Sequence, residues 1–372
     1  MRKMETDVVI VGGGIVGCAS AYYLAQRGVS VVLLEQSVVG YEASGRNAGG
    51  VRAQCRDRRE RRYAMASIQL WEQLEEELGF DVEYVQGGNI RLAANEERME
   101  ALIRQGEEEM EDGLVVEIWD RNQLRKRAPY LSNVFIGAKY CATDGVANPI
   151  LASKAFGWAA ERAGVTLLEH TEVLEIGLQE RHVCFIRARG VKGEIEIETP
   201  RVIHAGGPWS PLLSQTLGIE LPVEPVRVVM AVTQPVLPFF TEFLSSHDLG
   251  VYARPARSGH IHIGGLGEHV PTFDKSVPLE SLRRLGRAVQ MIPALRRVNV
   301  LHSWAGLLAV TPDRLPIIGP VDGISGYILA TGFSGHGFCL GPIVGKLLSE
   351  YIVEGEPSLP FDDFCLSRFD RN

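Results

Sequence analysis

The chain has 372 residues, 45% hydrophobic and 23% charged, with a formal net charge of -8. This length exceeds what one ordinary hydrophobic core supports, so two lobes are expected, and the composition is that of a soluble globular enzyme rather than a disordered or fibrous chain. The negative charge argues against a nucleic-acid partner, because neutralising phosphates needs a basic face.

The chain begins with a strand, a glycine turn and a helix. The apolar run 7–11 precedes Gly12, Gly14 and Gly17, and a second apolar run, 29–34, ends at Glu35. Gly12 allows a tight turn, Gly14 the approach of backbone amides to a pyrophosphate, and Gly17 close packing of helix on strand. The helix N-terminus adds partial positive charge, and Glu35 can accept hydrogen bonds from ribose hydroxyls. This unit predicts an adenine dinucleotide, either FAD or NAD.

Six arginines then fall between 52 and 62, followed by the acidic stretch 72–77. We expect the outer four of these arginines to lie on a solvated or subunit-facing helix surface, and the exposed surface from Arg56 to Arg62 could dock a partner chain.

Alternating apolar patterns mark a second, discontinuous region. They occur at 89–93, 226–232 and 260–264, and they predict strands of an antiparallel sheet that forms a substrate domain. We expect the two parts of this region to pair into one lobe.

The cysteines are scattered, and no pair has the spacing of a metal site or a redox dithiol. No stretch reaches the roughly 20 apolar residues that a membrane span needs. We therefore expect no metal, no transmembrane segment, and a cytoplasmic protein that is at most peripheral to a membrane through electron-transfer partners.

Four motifs in order carry a family resemblance: ASGRNAGGVR (43–52), VIHAGGPW (202–209), WAG (304–306) leading to TPDRLPIIG (311–319), and ATGFSGHGF (330–338). They resemble the D-amino-acid oxidase superfamily, most closely its sarcosine oxidase β-subunit-like and L-proline dehydrogenase β-subunit-like members. The resemblance implies an α/β fold of the glutathione reductase type, with a Rossmann-like FAD-binding domain (1–86, 142–222 and 300–372) and a discontinuous antiparallel-sheet substrate domain (87–141 and 223–299).

The resemblance also implies where FAD binds. The segment from Ser44 to Gly50 would wrap the pyrophosphate and the dimethylbenzene side of the flavin, Val173 would contact the adenine, and the helix after Gly337 would point at N1 and O2 of the reduced ring. Leu307 and Leu308 follow the WAG turn, where covalent relatives carry a cysteine, so noncovalent FAD is expected. The residues predicted to bind FAD are Gly12, Gly14, Ile15, Val16, Gly17, Glu35, Gln36, Ser44, Gly45, Arg46, Asn47, Ala48, Gly49, Gly50, Val51, Val173, Ala205, Gly206, Trp209, Gly306, Gly332, Phe333, Gly335, His336, Gly337, Phe338 and Cys339.

The substrate half has fewer signals. An arginine is the natural bidentate partner of an amino-acid carboxylate. Glycine oxidase-like relatives place that arginine where this chain has Leu308, so Arg52 and Arg254 are the candidates here. For each of them, the alternative to binding the carboxylate is a purely structural role. Tyr252 could bind the carboxylate, cap the pocket or belong to the core.

Two histidines complete the predicted catalytic set. His262 stands where oxygen-activating sarcosine oxidases carry a lysine, which favours a dehydrogenase over an oxidase. His336 lies inside the last motif, where it would contact cofactor or substrate.

The predicted activity is FAD-dependent oxidation of the Cα–N bond of a small primary or secondary amino acid of the proline, hydroxyproline, sarcosine or opine type to the imine, by hydride transfer to flavin N5. One alternative is a flavin-bearing β subunit that is inactive without partner chains of a hetero-oligomeric dehydrogenase. An NAD-dependent dehydrogenase is a further alternative, but it leaves the last motif unexplained.

Overall fold

The computed structural model describes residues 2–370. Its strands, in chain order, are β1 (Arg2–Glu5), β2 (Val8–Val11), β3 (Val31–Leu34), β4 (Gly50–Val51), β5 (Asn89–Ala93), β6 (Glu117–Asp120), β7 (Gly137–Cys141), β8 (Gly145–Val146), β9 (Thr166–Leu168), β10 (Glu172–Gln179), β11 (His182–Gly190), β12 (Gly193–Glu198), β13 (Val202–His204), β14 (Glu224–Thr233), β15 (Phe243–Ser246), β16 (Val251–Pro255), β17 (Ile261–Gly265), β18 (Glu268–His269), β19 (Val300–Val310), β20 (Ile317–Pro320) and β21 (Tyr327–Thr331).

The α-helices alternate with these strands in the first half of the chain and cluster near its end. They are α1 (Ile15–Gln26), α2 (Ala43–Arg46), α3 (Arg58–Trp71), α4 (Leu74–Leu78), α5 (Glu96–Glu111), α6 (Arg121–Arg127), α7 (Pro149–Arg162), α8 (Ser210–Gln215), α9 (Leu279–Leu285), α10 (Ala288–Met291) and α11 (Gly337–Glu354), with short 3-10 turns at Gly207–Trp209, Pro293–Arg297, Asp362–Phe364 and Leu366–Phe369.

A six-stranded sheet of order β20-β21-β13-β2-β3-β9 forms the centre of the nucleotide-binding part. Its pairs are parallel except β20–β21. Strands β2 and β3 are continuous apolar runs because both faces of the sheet are covered. Helices α1, α7 and α11 pack on one face, and the four-stranded sheet β1-β12-β11-β10 packs on the other.

A nine-stranded sheet forms the second part. Eight of its strands have the order β18-β14-β17-β16-β15-β5-β7-β6, and the ninth, β19, pairs with β14. The two separate segments meet where β5 pairs with β15, which confirms that they form one sheet. This pair is parallel, unlike the antiparallel pairs around it. Strand β19 joins this sheet through its long pairing with β14, although the predicted division placed 300–310 with the FAD-binding segments.

The two faces of the large sheet differ in chemistry because side chains alternate along each strand. One face carries a hydrophobic core that includes Ile90, Leu244, Ala253 and Ile263 and is covered by α9 and α10. The other face carries Tyr252, with Met230, Phe243 and Trp304 around it, and packs against Ala48 and Val146 of the nucleotide-binding part. This second face brings the substrate region to the nucleotide-binding region.

The arginine-rich segment is only partly a surface. Arg58, Arg59 and Arg62 are exposed, as predicted, but Arg56 and Arg61 are buried. Arg56 precedes helix α3 and pairs with Glu60 at 3.0 Å, and Arg61 is on the buried face of α3 and pairs with Asp112. The expectation of one exposed surface over 56–62 is therefore wrong for these two residues.

Within residues 2–370, no helix is long and apolar enough to cross a membrane. The same range holds no group of three or more His, Cys, Asp or Glu side chains that could bind a metal ion.

Candidate functional site

An elongated cavity lies at the carboxyl ends of the parallel strands, where ligands of this kind of sheet bind. Its volume is about 540 Å³, which is within the range of roughly 300–1,000 Å³ usual for small-molecule sites. Predicted cofactor residues that line it are Gly12, Gly14, Glu35, Gln36, Ser44, Val173, Ala205, Gly206 and Trp209.

The glycine turn at this cavity is fixed by close backbone contacts. Gly12 has a φ of +107°, and a Cβ there would lie 2.5 Å from the carbonyl oxygen of Ala205. A Cβ on Gly17 would lie 2.0 Å from the carbonyl oxygen of Gly12. Larger residues would push helix α1 away from the sheet, so these glycines are what let the helix begin at the cavity.

Glu35 ends β3 and lies at the wall of the cavity. Its Oε2 accepts a hydrogen bond from the Gly13 amide at 2.7 Å, and its Oε1 accepts one from the Ser37 amide at 2.7 Å. Burial raises the pKa of this carboxyl, and the two amide hydrogen bonds oppose that shift. Each carboxylate oxygen keeps further lone-pair capacity for ribose hydroxyls.

The loop after Ser44 is held by its own side chains. The Asn47 side chain donates to the carbonyls of Ala43 and Ser44 and accepts from the Gly49 amide at 2.6 Å. Arg46 donates to the Ala305 carbonyl at 3.1 Å, and the Trp304 indole donates to the Arg46 carbonyl at 3.0 Å. These bonds tie the flavin loop expected from the sequence to strand β19 of the large sheet.

A helix begins at the end of the last motif (330–338), as the sequence predicts. Ser334 and Gly335 have φ values of +52° and +93°, and helix α11 then begins at Gly337. A Cβ on Gly335 would lie 3.3 Å from the side chain of Leu308, and a Cβ on Gly341 would lie 2.9 Å from Ile15. The N-terminal fingerprint and the C-terminal motif therefore meet in the structure.

Some predicted cofactor residues lie in the core instead of at the cavity. Ile15 and Val16 are buried in helix α1, and Phe338 and Cys339 are buried in α11, where Phe338 packs on Trp71 with ring centroids 5.0 Å apart. Only backbone groups of these residues are available to a cofactor nearby.

Three of the predicted catalytic side chains share the polar face of the large sheet. Tyr252 and Arg254 lie two residues apart on the same face of β16, and His262 on β17 stands directly opposite Arg254. Trp304 lies near His262, with ring centroids 5.9 Å apart, and the Tyr252 hydroxyl lies 3.1 Å from the sulfur of Met230.

Arg254 is a buried cation that forms no ion pair with any carboxylate in residues 2–370. The residue is 4% exposed, and its Nη1 donates to the Pro255 carbonyl at 3.2 Å. Its Nε has no acceptor among residues 2–370, and a Cβ on Gly49 would lie 3.3 Å from its Nη2. Burial lowers the pKa of Arg254 to about 10, so it remains charged at neutral pH. Burying a charge whose hydrogen-bond donors have no acceptors costs free energy, unless a ligand supplies those acceptors.

His262 and Tyr252 are neutral near pH 7. Burial, together with the charge of Arg254, lowers the pKa of His262 to about 3, and the His262 Nδ1 is buried without a hydrogen-bond partner among the described residues. Burial raises the pKa of Tyr252 above its ordinary value. These three residues thus offer one positive charge and two neutral polar groups.

Arg52 and His336 lie together at the end of the flavin loop. The Nη2 of Arg52 is 3.1 Å from the Nε2 of His336, and Nη1 donates to the carbonyls of Gln54 and Cys55. His336 Nδ1 lies 2.7 Å from an oxygen of the buried Glu60. Burial lowers the pKa of His336 to about 4 despite the Glu60 carboxylate.

Several site residues have no motif in the sequence. Met230, Phe243 and Phe273 are single apolar residues within strand or loop patterns, and only the sheet register or the loop path brings them to the site. Glu60 gives one weak signal, because it stands four residues after Arg56, the spacing of an ion pair in a helical sequence.

A family model described as DAO, the FAD-dependent oxidoreductases, matches residues 7–351. The glycine oxidase of Bacillus subtilis is 30% identical over 95% of each chain, and the β subunit of sarcosine oxidase from Rhizobium meliloti is 28% identical over 99% of this chain and 89% of its own. The crystal structure of L-proline dehydrogenase from P. horikoshii superposes with a TM-score of 0.93 at 32% identity, over 99% of both chains.

The chain therefore belongs to the DAO family of FAD-dependent oxidoreductases, as the motifs predicted. FAD, rather than NAD, is its cofactor. The residues fit this group: the glycine turn leaves no room for side chains, Glu35 retains acceptor capacity, and the cavity extends along the carboxyl ends of β2, β3 and β13.

Proposed function

We propose that this enzyme oxidises the Cα–N bond of a small primary or secondary amino acid, of the proline, hydroxyproline, sarcosine or opine type, to the imine. The observation that carries the proposal is Arg254, a buried guanidinium with open donors on the sheet face beside the flavin loop. A carboxylate is the planar anion that a guanidinium binds in a bidentate manner.

Positioning is the main contribution of the protein to this reaction. Arg254 holds the carboxylate, and the rings of Tyr252 and Trp304 border the space beside it. The neutral His262 adds no positive charge next to Arg254. Its Nδ1, which has no partner among the described residues, can accept a hydrogen bond from the substrate amine in one tautomer or donate one to it in the other. The amine nitrogen must be unprotonated, because its lone pair forms the new C=N bond.

When bound, FAD supplies the acceptor for the hydride of the carbon beside the nitrogen. Loss of that hydride and of one N–H proton leaves the imine, which water hydrolyses unless the substrate is cyclic. We propose noncovalent binding of FAD, because the positions after the WAG turn are Leu307, which is buried, and Leu308, which lies against Gly335.

The neutral state of His262 supports dehydrogenase rather than oxidase activity, since a cation in its place would attract superoxide more strongly. The comparison that checks this is reoxidation of the reduced protein by air and by an artificial acceptor. We expect the artificial acceptor to reoxidise the reduced protein much faster than air does.

The test of the activity is an anaerobic titration of the yellow protein with N-methyl, cyclic and opine amino acids. We expect at least one of them to bleach the flavin absorbance. If none of them does so, the proposal is wrong.

A second candidate is a flavin-bearing subunit that needs partner chains, and one relative of this chain is the β subunit of sarcosine oxidase. Strand β19 is an edge of the large sheet, and Val300 and Leu301 at its start are 58% and 60% exposed. Exposed edge strands favour pairing with another chain. Turnover of this chain alone with an artificial acceptor would exclude a strict dependence on partners.

A further inference from the structure

A loop of the substrate region reaches the wall of the FAD cavity. The loop 270–278 joins strand β18 to helix α9 and has no regular secondary structure. Phe273 in this loop lines the cavity, whereas among residues 2–370 every other lining residue lies between 11 and 216. The substrate region therefore contributes a side chain to a site that is otherwise formed by the nucleotide-binding part.

This loop is anchored to its own sheet by Arg227 of β14. The guanidinium donates to Glu268 at 3.0 Å, to Asp274 at 2.5 Å and to the Ser276 hydroxyl at 3.0 Å. Asp274 also accepts from the amide and the hydroxyl of Ser276, both at 2.8 Å. These bonds fix the turn at 274–276, and the residues on either side of Asp274 contact the nucleotide-binding part instead.

Two side chains of the loop make those contacts. The Phe273 ring stacks on Trp209, with centroids 5.2 Å apart and an angle of 17° between the planes. The Lys275 ammonium lies 2.6 Å from Oε1 of Glu42 and 5.8 Å from the ring centroid of Tyr41. Trp209, Glu42 and Tyr41 all line the cavity, so both contacts lie at its wall.

The ion pair of Lys275 with Glu42 changes the charge of the cavity. Glu35 and Glu42 both line it, and FAD brings further negative charge on its pyrophosphate. Like charges in one cavity oppose binding unless a cation compensates them. Lys275 is 2.6 Å from the Glu42 carboxylate, whereas Nε of Arg46 is 3.6 Å away and donates to the Tyr41 carbonyl at 2.9 Å. Lys275 is therefore the closer cation.

We propose that residues 270–278 form a strap that retains FAD, in which Phe273 closes the cavity against Trp209 and Lys275 compensates the charge of Glu42. The strap ties the bound cofactor to the substrate region. This inference rests on the noncovalent binding of FAD proposed above, and it is independent of which amine is oxidised.

The first test measures the FAD dissociation constant of the apoprotein and the rate at which FAD leaves the holoenzyme, as flavin that passes an ultrafiltration membrane after dilution. We expect Phe273→Ala to raise both by about tenfold, the upper range for loss of an aromatic pair. Phe239→Ala is the matched control, because Phe239 packs on Phe240 in another loop of the substrate region and does not line the cavity. Equal release rates in the two variants would overturn the strap.

The second test concerns the charge of Lys275. Lys275→Met should raise the FAD dissociation constant about fivefold, the upper range for a partly exposed ion pair, and less so at high salt, because salt screens the exposed charge. Adding Glu42→Gln to Lys275→Met should restore the constant to within about twofold of its native value, because the uncompensated carboxylate is gone. Equal losses in the single and double variants would overturn the charge compensation.

A surface lysine provides the control for this second test. Lys3 pairs with Glu196 at 3.5 Å and its side chain is 68% exposed. Neither residue lines the cavity. Lys3→Met should therefore bind FAD with native affinity, and a loss as large as that of Lys275→Met would contradict a specific role of the strap.

Denaturation of the holoenzyme separates failure of the strap from failure of noncovalent binding. FAD that stays attached to the denatured chain would refute noncovalent binding, and the strap proposal would fail with it. FAD that is released on denaturation, together with native release rates in Phe273→Ala and Lys275→Met, would overturn the strap alone.

Discussion

The nucleotide cavity and the polar sheet face are built in different ways. At the cavity, Gly12 and Gly17 allow backbone contacts that no other residue permits, and both oxygens of Glu35 already accept protein hydrogen bonds. At the sheet face, Arg254 and His262 carry buried nitrogen atoms that lack partners among the described residues. In the first region the backbone and the hydrogen bonds to Glu35 fix the geometry, whereas the second region presents side-chain donors that a ligand can satisfy.

This difference predicts how each region responds to substitution. Changes at the cavity should act on FAD binding and on folding, because its geometry is set by the backbone. Changes at the sheet face should act on substrate selection and leave the bound cofactor in place.

The largest effect is expected for Gly17→Ala. A Cβ there would lie 2.0 Å from the Gly12 carbonyl oxygen, so helix α1 must move off the sheet. We expect loss of bound FAD and a fall in the free energy of unfolding of at least about 3 kcal/mol, measured by flavin content and denaturant unfolding. Gly113→Ala is the control: its φ is +85° but nothing lies within 4 Å of the added Cβ, so it should cost only about 1 kcal/mol and keep FAD.

Arg254→Met should lower kcat/KM for the amino-acid substrate by about 100-fold, because two hydrogen bonds to a charged group are lost. FAD content, measured from the absorbance spectrum, should stay stoichiometric. Arg254→Lys keeps the charge without the bidentate geometry and should recover only part of the loss. A full recovery with lysine would show that charge alone is needed.

Glu35→Gln should raise the FAD dissociation constant about tenfold, which corresponds to about 1.4 kcal/mol. The glutamine side chain has an NH2 group in place of one carboxylate oxygen. That group cannot accept a hydrogen bond from the backbone N–H of Gly13 or Ser37 or from a ribose hydroxyl, so one acceptor is lost. Fluorescence titration of the apoprotein measures the change. Glu175→Gln, on strand β10 outside the cavity lining and paired with Arg187, should leave FAD affinity unchanged.

The last prediction concerns acid stability and involves neither cofactor binding nor substrate selection. Burial lowers the pKa of His204 to about 4, below its unfolded value near 6.5. The unfolded chain therefore binds one more proton between those values, and stability is lost as pH falls from about 6.5 towards 4. His204→Gln should reduce the slope of unfolding free energy against pH by about 1.4 kcal/mol per unit near pH 5. An unchanged slope would mean that His204 is already protonated in the folded protein.

The parts that could be predicted from sequence are those in which the backbone dictates residue type. The turn at Gly12, the acid at Glu35 and the start of α11 at Gly337 follow from local patterns, and the structure confirms their placement. The alternating runs also predicted strands β5, β14 and β17.

The sheet face could be predicted only in part, because its side chains meet through strand register rather than through neighbouring positions. Arg254 and His262 were separate candidates, and only the β16–β17 pairing sets them opposite each other. Strand β19 was assigned to the other lobe because its motif belongs to the flavin site while its ladder belongs to β14. The prediction is wrong for Arg56 and Arg61 because the local density of charge does not show which side chains of a segment are buried.

The most direct test of the account is the affinity of the FAD-loaded enzyme for acetate, a carboxylate that cannot be oxidised at a Cα–N bond, followed by the flavin spectrum. We predict saturable binding to the native protein and at least about tenfold weaker binding to Arg254→Met. Equal affinity in the two proteins would contradict the assignment of Arg254 as the group that holds the substrate carboxylate.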